Sequence, residues 1–164
     1  MTIAEVNRLD HASFVMAIGW VFEHSPWVAE RAYAARPFAS LDALHSAMIE
    51  QVERATLAEK TALLRAHPDL GARARLSQAS SNEQAGAGLD SLTPAEFEQL
   101  NRLNSAYRAR LGFPFLLAVK GSTKHDILRA LQARMEAMPQ DEFEEALRQV
   151  YRIARFRLEG LIDP

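Results

Sequence analysis

The chain of 164 residues contains no cysteine. That absence excludes a disulfide framework, a thiolate nucleophile and any cysteine-based zinc or iron–sulfur centre, and it fits a reducing compartment. Lysine is scarce: Lys60, Lys120 and Lys124 are the only three, arginine supplies the rest of the positive charge, and the formal net charge is −2. So slight an imbalance creates no field that draws nucleic acid or an anionic membrane surface. No run of 18 apolar residues occurs, so no membrane-spanning helix is expected. Met1 to Arg8 lacks a basic stretch followed by an apolar one, so no signal peptide is expected. Leu161-Ile162-Asp163-Pro164 is no peroxisomal address. Motifs for the commonest chemistries are missing as well. There is no His-Glu-x-x-His, no phosphate loop, no dinucleotide glycine fingerprint and no Gly-x-Ser-x-Gly elbow. Metal, nucleotide and serine-hydrolase mechanisms are disfavoured. Hydrophobic residues at 48% and charged residues at 24% are ordinary for a folded domain, which argues against disorder. A cytoplasmic protein is expected, with neither nucleic acid nor membrane as a partner.

What is present is helix-forming. Alanine fills 28 positions, and helix starts are marked by short polar residues. Asp10 precedes Phe14, Val15 and Ile18, and Ser25-Pro26 reads as an N-cap with proline at the first helical position. That helix should stop before Arg36-Pro37. Ser40 opens Leu41–Arg54, and Thr56 with Glu59 forms a capping box before Leu63 and Leu64. Thr93-Pro94-Ala95-Glu96 starts a long helix through Leu100, Leu103 and Tyr107 that Gly112 should end. Thr123 or Asp126 starts Ile127–Met138, and Pro139 or Asp141 starts a last helix through Phe143, Leu147, Val150 and Leu158. No stretch alternates at period two, so no sheet is expected. The expectation is an all-α fold of seven or eight helices forming a single domain over residues 1–164.

Two stretches resist the helical pattern: His67-Pro68-Asp69-Leu70-Gly71 through Gln78, and the apolar, glycine-bounded Gly112 to Gly121. An extended apolar segment in a helical protein must find partners for its backbone groups, in other loops or in a ligand. Of five histidines, His11, His24 and His45 fall in helical stretches without a metal-spaced partner, and His125 lies at a helix start. His67 differs, because Pro68 forces the chain out of helix there. A helix C-terminus favours the imidazolium, the form a proton donor needs, although a histidine that merely complements the dipole fits equally well. Ser80-Ser81-Asn82-Glu83-Gln84 has two readings also. Ser80 can cap a helix with Glu83 at the third position, or Glu83 and Gln84 can offer a carboxylate and an amide to a urea-like edge. Arg157, beside Arg152 and Arg155, reads as a solvated arginine or as a ligand group.

These segments are also where the chain resembles a known family, the 2-oxo-4-hydroxy-4-carboxy-5-ureidoimidazoline (OHCU) decarboxylases of urate breakdown. The resemblance runs from about Asn7 to Leu161. It is carried by Phe22-Glu23-His24-Ser25-Pro26-Trp27-Val28, His67-Pro68-Asp69-Leu70-Gly71, Ser80 with Glu83-Gln84, Leu103-Asn104-x-Ala106-Tyr107, Gly112-Phe113-Pro114-Phe115 and Arg157-Leu158. Leu111 stands where the family often has Phe, and Ala137 where Asn is usual. The resemblance implies an all-helical fold, no cofactor, a homodimer, and conversion of the ureidoimidazoline to (S)-allantoin with loss of CO₂. It implies His67 as catalytic proton donor, with Glu83 beside it. Substrate contacts would come from Pro68, from Ser80, Ser81, Asn82, Glu83 and Gln84, and from the backbone of Leu117, Ala118, Val119, Lys120 and Gly121. Arg157 would orient the substrate.

Such a reaction needs stabilisation of enolate-like charge as CO₂ leaves, then a proton on one face. Clamping the carboxylate with cations would stabilise the ground state too and slow its loss. Neutral amides and backbone N–H groups are therefore expected around the ring. Glu83 either holds the ureido N–H groups or keeps His67 protonated. The competing readings are an inactive helical binding or regulatory module of the same fold, and a hydrolase or isomerase acting on a related ureido ring.

Overall fold

Short polar side chains start most helices in this protein. The computed structural model describes residues 1–72 and 77–164, and among them there are nine α-helices and no strand. They are α1 (Ile3–Arg8), α2 (His11–Ile18), α3 (Trp27–Ala32), α4 (Leu41–Glu53), α5 (Leu57–Arg65), α6 (Gln78–Gly86), α7 (Pro94–Leu111), α8 (Lys124–Arg134) and α9 (Pro139–Leu161). Two 3-10 turns, Gly19–Val21 and Tyr33–Ala35, follow α2 and α3. The all-α expectation holds. No helix among the described residues is long and apolar enough to cross a membrane. The chain forms two compact units, residues 1–66 with 151–164, and residues 67–150.

In the first unit, Phe14, Ile18, Phe22, Leu44, Met48, Leu63 and Leu64 are fully buried. Phe14 meets Tyr33 edge-on and stacks on Phe38, with centroids 5.4 and 6.1 Å apart. The Asn7 amide brackets the Phe38 backbone, accepting from its N–H at 2.8 Å and donating to its carbonyl at 2.9 Å. Ser40 and the Thr56–Glu59 box cap α4 and α5 as the sequence suggests. Two points differ. Helix α1, opened by a Thr2–Glu5 capping box, is not foreshadowed by periodicity, because its six residues bury only Val6. And Ser25 does not cap α3 with its side chain: Pro26 occupies the cap position at helical φ and ψ, and the Ser25 hydroxyl donates back to the Glu23 carbonyl at 2.9 Å.

The second unit contains α6, α7, α8 and the part of α9 up to Val150. Thr93 and Thr123 head capping boxes on α7 and α8, and Gly112 ends α7 in the left-handed region at φ 82°. Tyr107 is the largest fully buried side chain. Its ring meets Phe113 and Phe115 edge-on at 6.0 and 5.5 Å, and its hydroxyl donates to Glu142 at 2.5 Å. Helix α8 ends at Arg134 rather than at Met138. Pro139 opens α9 and pushes the residue before it out of helix.

Candidate active site

His67 follows the α5 C-cap Ala66 directly and begins a non-helical loop. It is 5% exposed, and Pro68 and Asp69 beside it are half-buried. The loop turns back through a hydrogen bond from the Ala72 N–H to the Asp69 carbonyl. Gly71 has φ +77°, and a Cβ there would stand 2.5 Å from Leu100 Cδ2 of α7. Only glycine suits both the backbone angle and the close approach. The loop expected through Gln78 runs into residues 73–76, which lie outside the described residues, and residue 78 is already helical.

Helix α6 carries the second candidate segment, but not as the capping reading has it. Ser77 is the N-cap, its hydroxyl accepting from the Ser80 N–H at 3.1 Å, so Ser80 stands inside the first turn. Starting at Ser77 makes Ser80 and Gln84, one turn apart, the inward face, and both are buried. Glu83 is half-buried beside them, while Ser81 and Asn82 face solvent, with Asn82 Oδ1 accepting from Gln78 at 2.9 Å. Gln84 Oε1 accepts from the Gly71 N–H at 2.9 Å. That bond joins α6 to the His67 loop.

The apolar segment after α7 is non-helical as expected. Its backbone is held from α8 and α9. Arg134 Nη1 donates to the Leu116 carbonyl at 2.5 Å, and the Ala118 N–H donates to Gln149 Oε1 at 3.0 Å. The Arg134 guanidinium sits 4.5 Å over the Phe115 ring and its Nε donates to Glu142 at 2.7 Å. Burial and the adjacent Glu142 carboxylate hold the Tyr107 phenol far above its ordinary pKa. Ala118 and Val119 are buried, Leu117 is half-buried, and Lys120 and Gly121 are exposed. A turn closes the segment, the Ser122 N–H reaching the Val119 carbonyl at 2.9 Å. Asn104 of α7 is buried and donates to the Leu70 carbonyl at 2.9 Å. It and Gln149 were not among the expected site residues; the available signal was an amide among the apolar positions of a helix.

Arg157 lies in the first unit and is not solvated. Its side chain is 3% exposed and pairs with buried Glu23 at 2.8 Å. It also donates to the carbonyls of Trp20 and Val21 at 3.4 Å. Of the other histidines, His24 stands in a turn with φ 46° rather than in helix. His45 on α4 bonds the Tyr151 carbonyl at 2.8 Å, and burial lowers its pKa. His11 packs edge-on against Tyr33. Among the described residues no three His, Asp or Glu side chains gather as metal ligands would.

Comparison with known proteins puts the chain in a family of decarboxylases, which are lyases, carried here on helices alone among the described residues. The chain belongs to the OHCU decarboxylase family, whose model matches residues 7–159. It is 50% identical over 158 residues to the 2-oxo-4-hydroxy-4-carboxy-5-ureidoimidazoline decarboxylase of Haloferax volcanii, covering 96% of this chain and 94% of that one. It is 44% identical over 164 residues to the enzyme of the same description from Halalkalicoccus jeotgali, covering 100% and 93%. Among solved structures it resembles an (S)-allantoin synthase, with a TM-score of 0.80 and 37% identity over 99% of this chain. There it spans 55% of the longer chain.

Proposed function

We propose that this protein converts OHCU to (S)-allantoin and CO₂ in urate degradation, with His67 delivering the proton. The activity is that of relatives matched over nearly their whole length. The assignment of residues rests on one observation: the buried His67 loop and the inward face of α6 belong to one unit and are joined by the Gly71–Gln84 hydrogen bond. The C–C bond to the carboxylate breaks, CO₂ leaves, and the electron pair passes into the ring as an enolate-like charge. His67 then protonates that carbon on one face. Neutral donors suit the developing charge, and Gln84 and the 117–121 backbone are such donors. Neighbouring residues of an extended chain turn their peptide groups to opposite sides. With the Leu116 carbonyl and the Ala118 N–H committed to Arg134 and Gln149, and the Val119 carbonyl to Ser122, the N–H groups of Leu117 and Val119 are the ones to meet the ring. Glu83 takes the ureido N–H groups or sustains the charge of His67, and Pro68 lines the pocket. A homodimer belongs to the same reading through the family resemblance, and a cytoplasmic location through the cysteine-free composition.

The test is stereochemical. Freshly generated OHCU loses CO₂ unaided and gives racemic allantoin. The parent protein should accelerate the loss and give one enantiomer, followed by circular dichroism. His67→Asn keeps size but cannot donate an acidic proton, and should lose about 10²-fold or more in rate while the product becomes racemic. A slow variant that still makes pure (S)-allantoin would assign the proton to another group. Release of no CO₂ would favour the hydrolase or isomerase reading, and no acceleration by the parent would favour the inactive module.

A further inference from the structure

Three consecutive residues of the His67 loop are read by one face of α7. Asp69 pairs with Arg108 at 2.8 Å, the Leu70 carbonyl accepts from Asn104 at 2.9 Å, and Gly71 packs so closely on Leu100 that a Cβ would stand 2.5 Å from it. Positions 100, 104 and 108 are four apart, so they share a face of the helix. The middle contact has a second half. The Leu70 carbonyl and the Gly71 N–H belong to the same peptide group, and that N–H donates to Gln84 Oε1 of α6 at 2.9 Å. The two polar ends of a trans peptide point in opposite directions. Two amide side chains, one from each helix, therefore hold a single peptide plane from both sides, three residues beyond His67. A peptide held at both ends cannot rotate without breaking a buried hydrogen bond.

Asn104 serves this contact at a cost to itself. Its Oδ1 is buried and has no hydrogen-bond partner among the described residues. A buried acceptor left without a partner is destabilising, and leucine of similar size would avoid it. What leucine lacks is the donor to the Leu70 carbonyl. We propose that Asn104 is a positioning residue for proton delivery: by fixing the Leu70–Gly71 peptide it holds the loop that carries His67, so that the proton reaches only one face of the intermediate. This rests on the reading of His67 as the acid. Arg108, at the exposed end of the same face, is the outer and weaker support.

Asn104→Leu should fold, as judged by far-ultraviolet circular dichroism, bind substrate with KM little changed, and lose roughly tenfold or more in kcat, since small displacements of a catalytic group are costly. Its product should lose enantiomeric purity, a readout that packing alone would not move. Arg108→Leu, which alters only an exposed pair, should lower purity in the same direction and to a smaller extent. Pure (S)-allantoin at the parent rate from folded Asn104→Leu overturns the proposal. If that variant does not fold, pure product at the parent rate from Arg108→Leu overturns it instead. His67→Asn in parallel separates the two claims. A racemate from His67→Asn with pure product from Asn104→Leu sinks only the role of Asn104, whereas pure product from His67→Asn sinks the reading beneath it.

Discussion

Glu83 is the sixth residue of α6, past the turn in which a side chain can cap the helix start. With Ser77 as N-cap, the bland explanation for Glu83 is gone, and what a cap contributes, about 1 kcal/mol, is not at stake there. Glu83→Gln should therefore lower turnover by about 10²-fold or more, the scale of an acid–base contribution, while the thermal midpoint stays within a few degrees of the parent. Gross unfolding with normal turnover per folded molecule would mark Glu83 as structural. At this scale the sequence was legible where a backbone rule isolates a residue. Pro68 sets His67 outside the helix, and Gly112 is the left-handed cap it looks like. It was illegible where two residues of one type compete. Ser77 and Ser80 are equal as caps on paper, and only the inward placement of Ser80 and Gln84 decides between them. Asn104 stood in a motif, but its contact was hidden for another reason: its partner is a backbone carbonyl 34 positions away, and sequence does not name backbone partners. Arg157 carried no sign of the Glu23 carboxylate that buries it.

The N-termini of α7 and α8 share one carboxylate. Glu96 closes the Thr93 capping box and also accepts from Lys124 Nζ at 2.8 Å. Lys124 is the first residue of α8, where a positive charge opposes the helix dipole, and the ion pair offsets that. The Lys124 hydrogen bond, with those of Thr93, lowers the Glu96 pKa to about 2. A carboxylate depressed on folding stabilises above its ordinary value, near 4.5, and that stabilisation is lost as pH falls from there toward about 2. Lys124→Met removes the largest cause. It should move the acid-unfolding midpoint, read from helical circular dichroism against pH, to higher pH and leave helix content at neutral pH unchanged. An unshifted midpoint would mean that the pair adds nothing to acid resistance. The Thr93–Glu96 box was readable, since Thr-x-x-Glu is local chemistry, whereas Thr123 and Asp126 read as alternative starts and are in fact the two ends of one box. Helix α1 has the same signature at Thr2–Glu5 yet too short an apolar stripe to attract notice.

At the scale of the molecule, the first unit is discontinuous: its opening 66 residues are completed by Tyr151–Pro164, and the contiguous second unit lies between them in the chain. Glu23, 2% exposed, has its carboxylate answered by Arg157, and Arg157 also reaches the Val21 carbonyl 136 positions earlier. Removing one partner of such a buried pair typically costs about 3–5 kcal/mol. A growing chain would meet that cost if it buried Glu23 before Arg157 was made. Between the synthesis of Glu23 and that of Arg157 a ribosome adding roughly 5–20 residues per second needs on the order of ten seconds, and in that interval Arg157 is not there to meet the carboxylate. The usual order, N-terminal part first, should then be reversed. Ribosome-arrested chains carrying residues 1–150 and then a flexible linker long enough to clear the exit tunnel should be cut by a protease more readily within residues 1–66 than within 67–150, and equal resistance of the two would refute this order. When residues 1–66 become native is then decided by a segment that lies more than 80 residues beyond them in the chain.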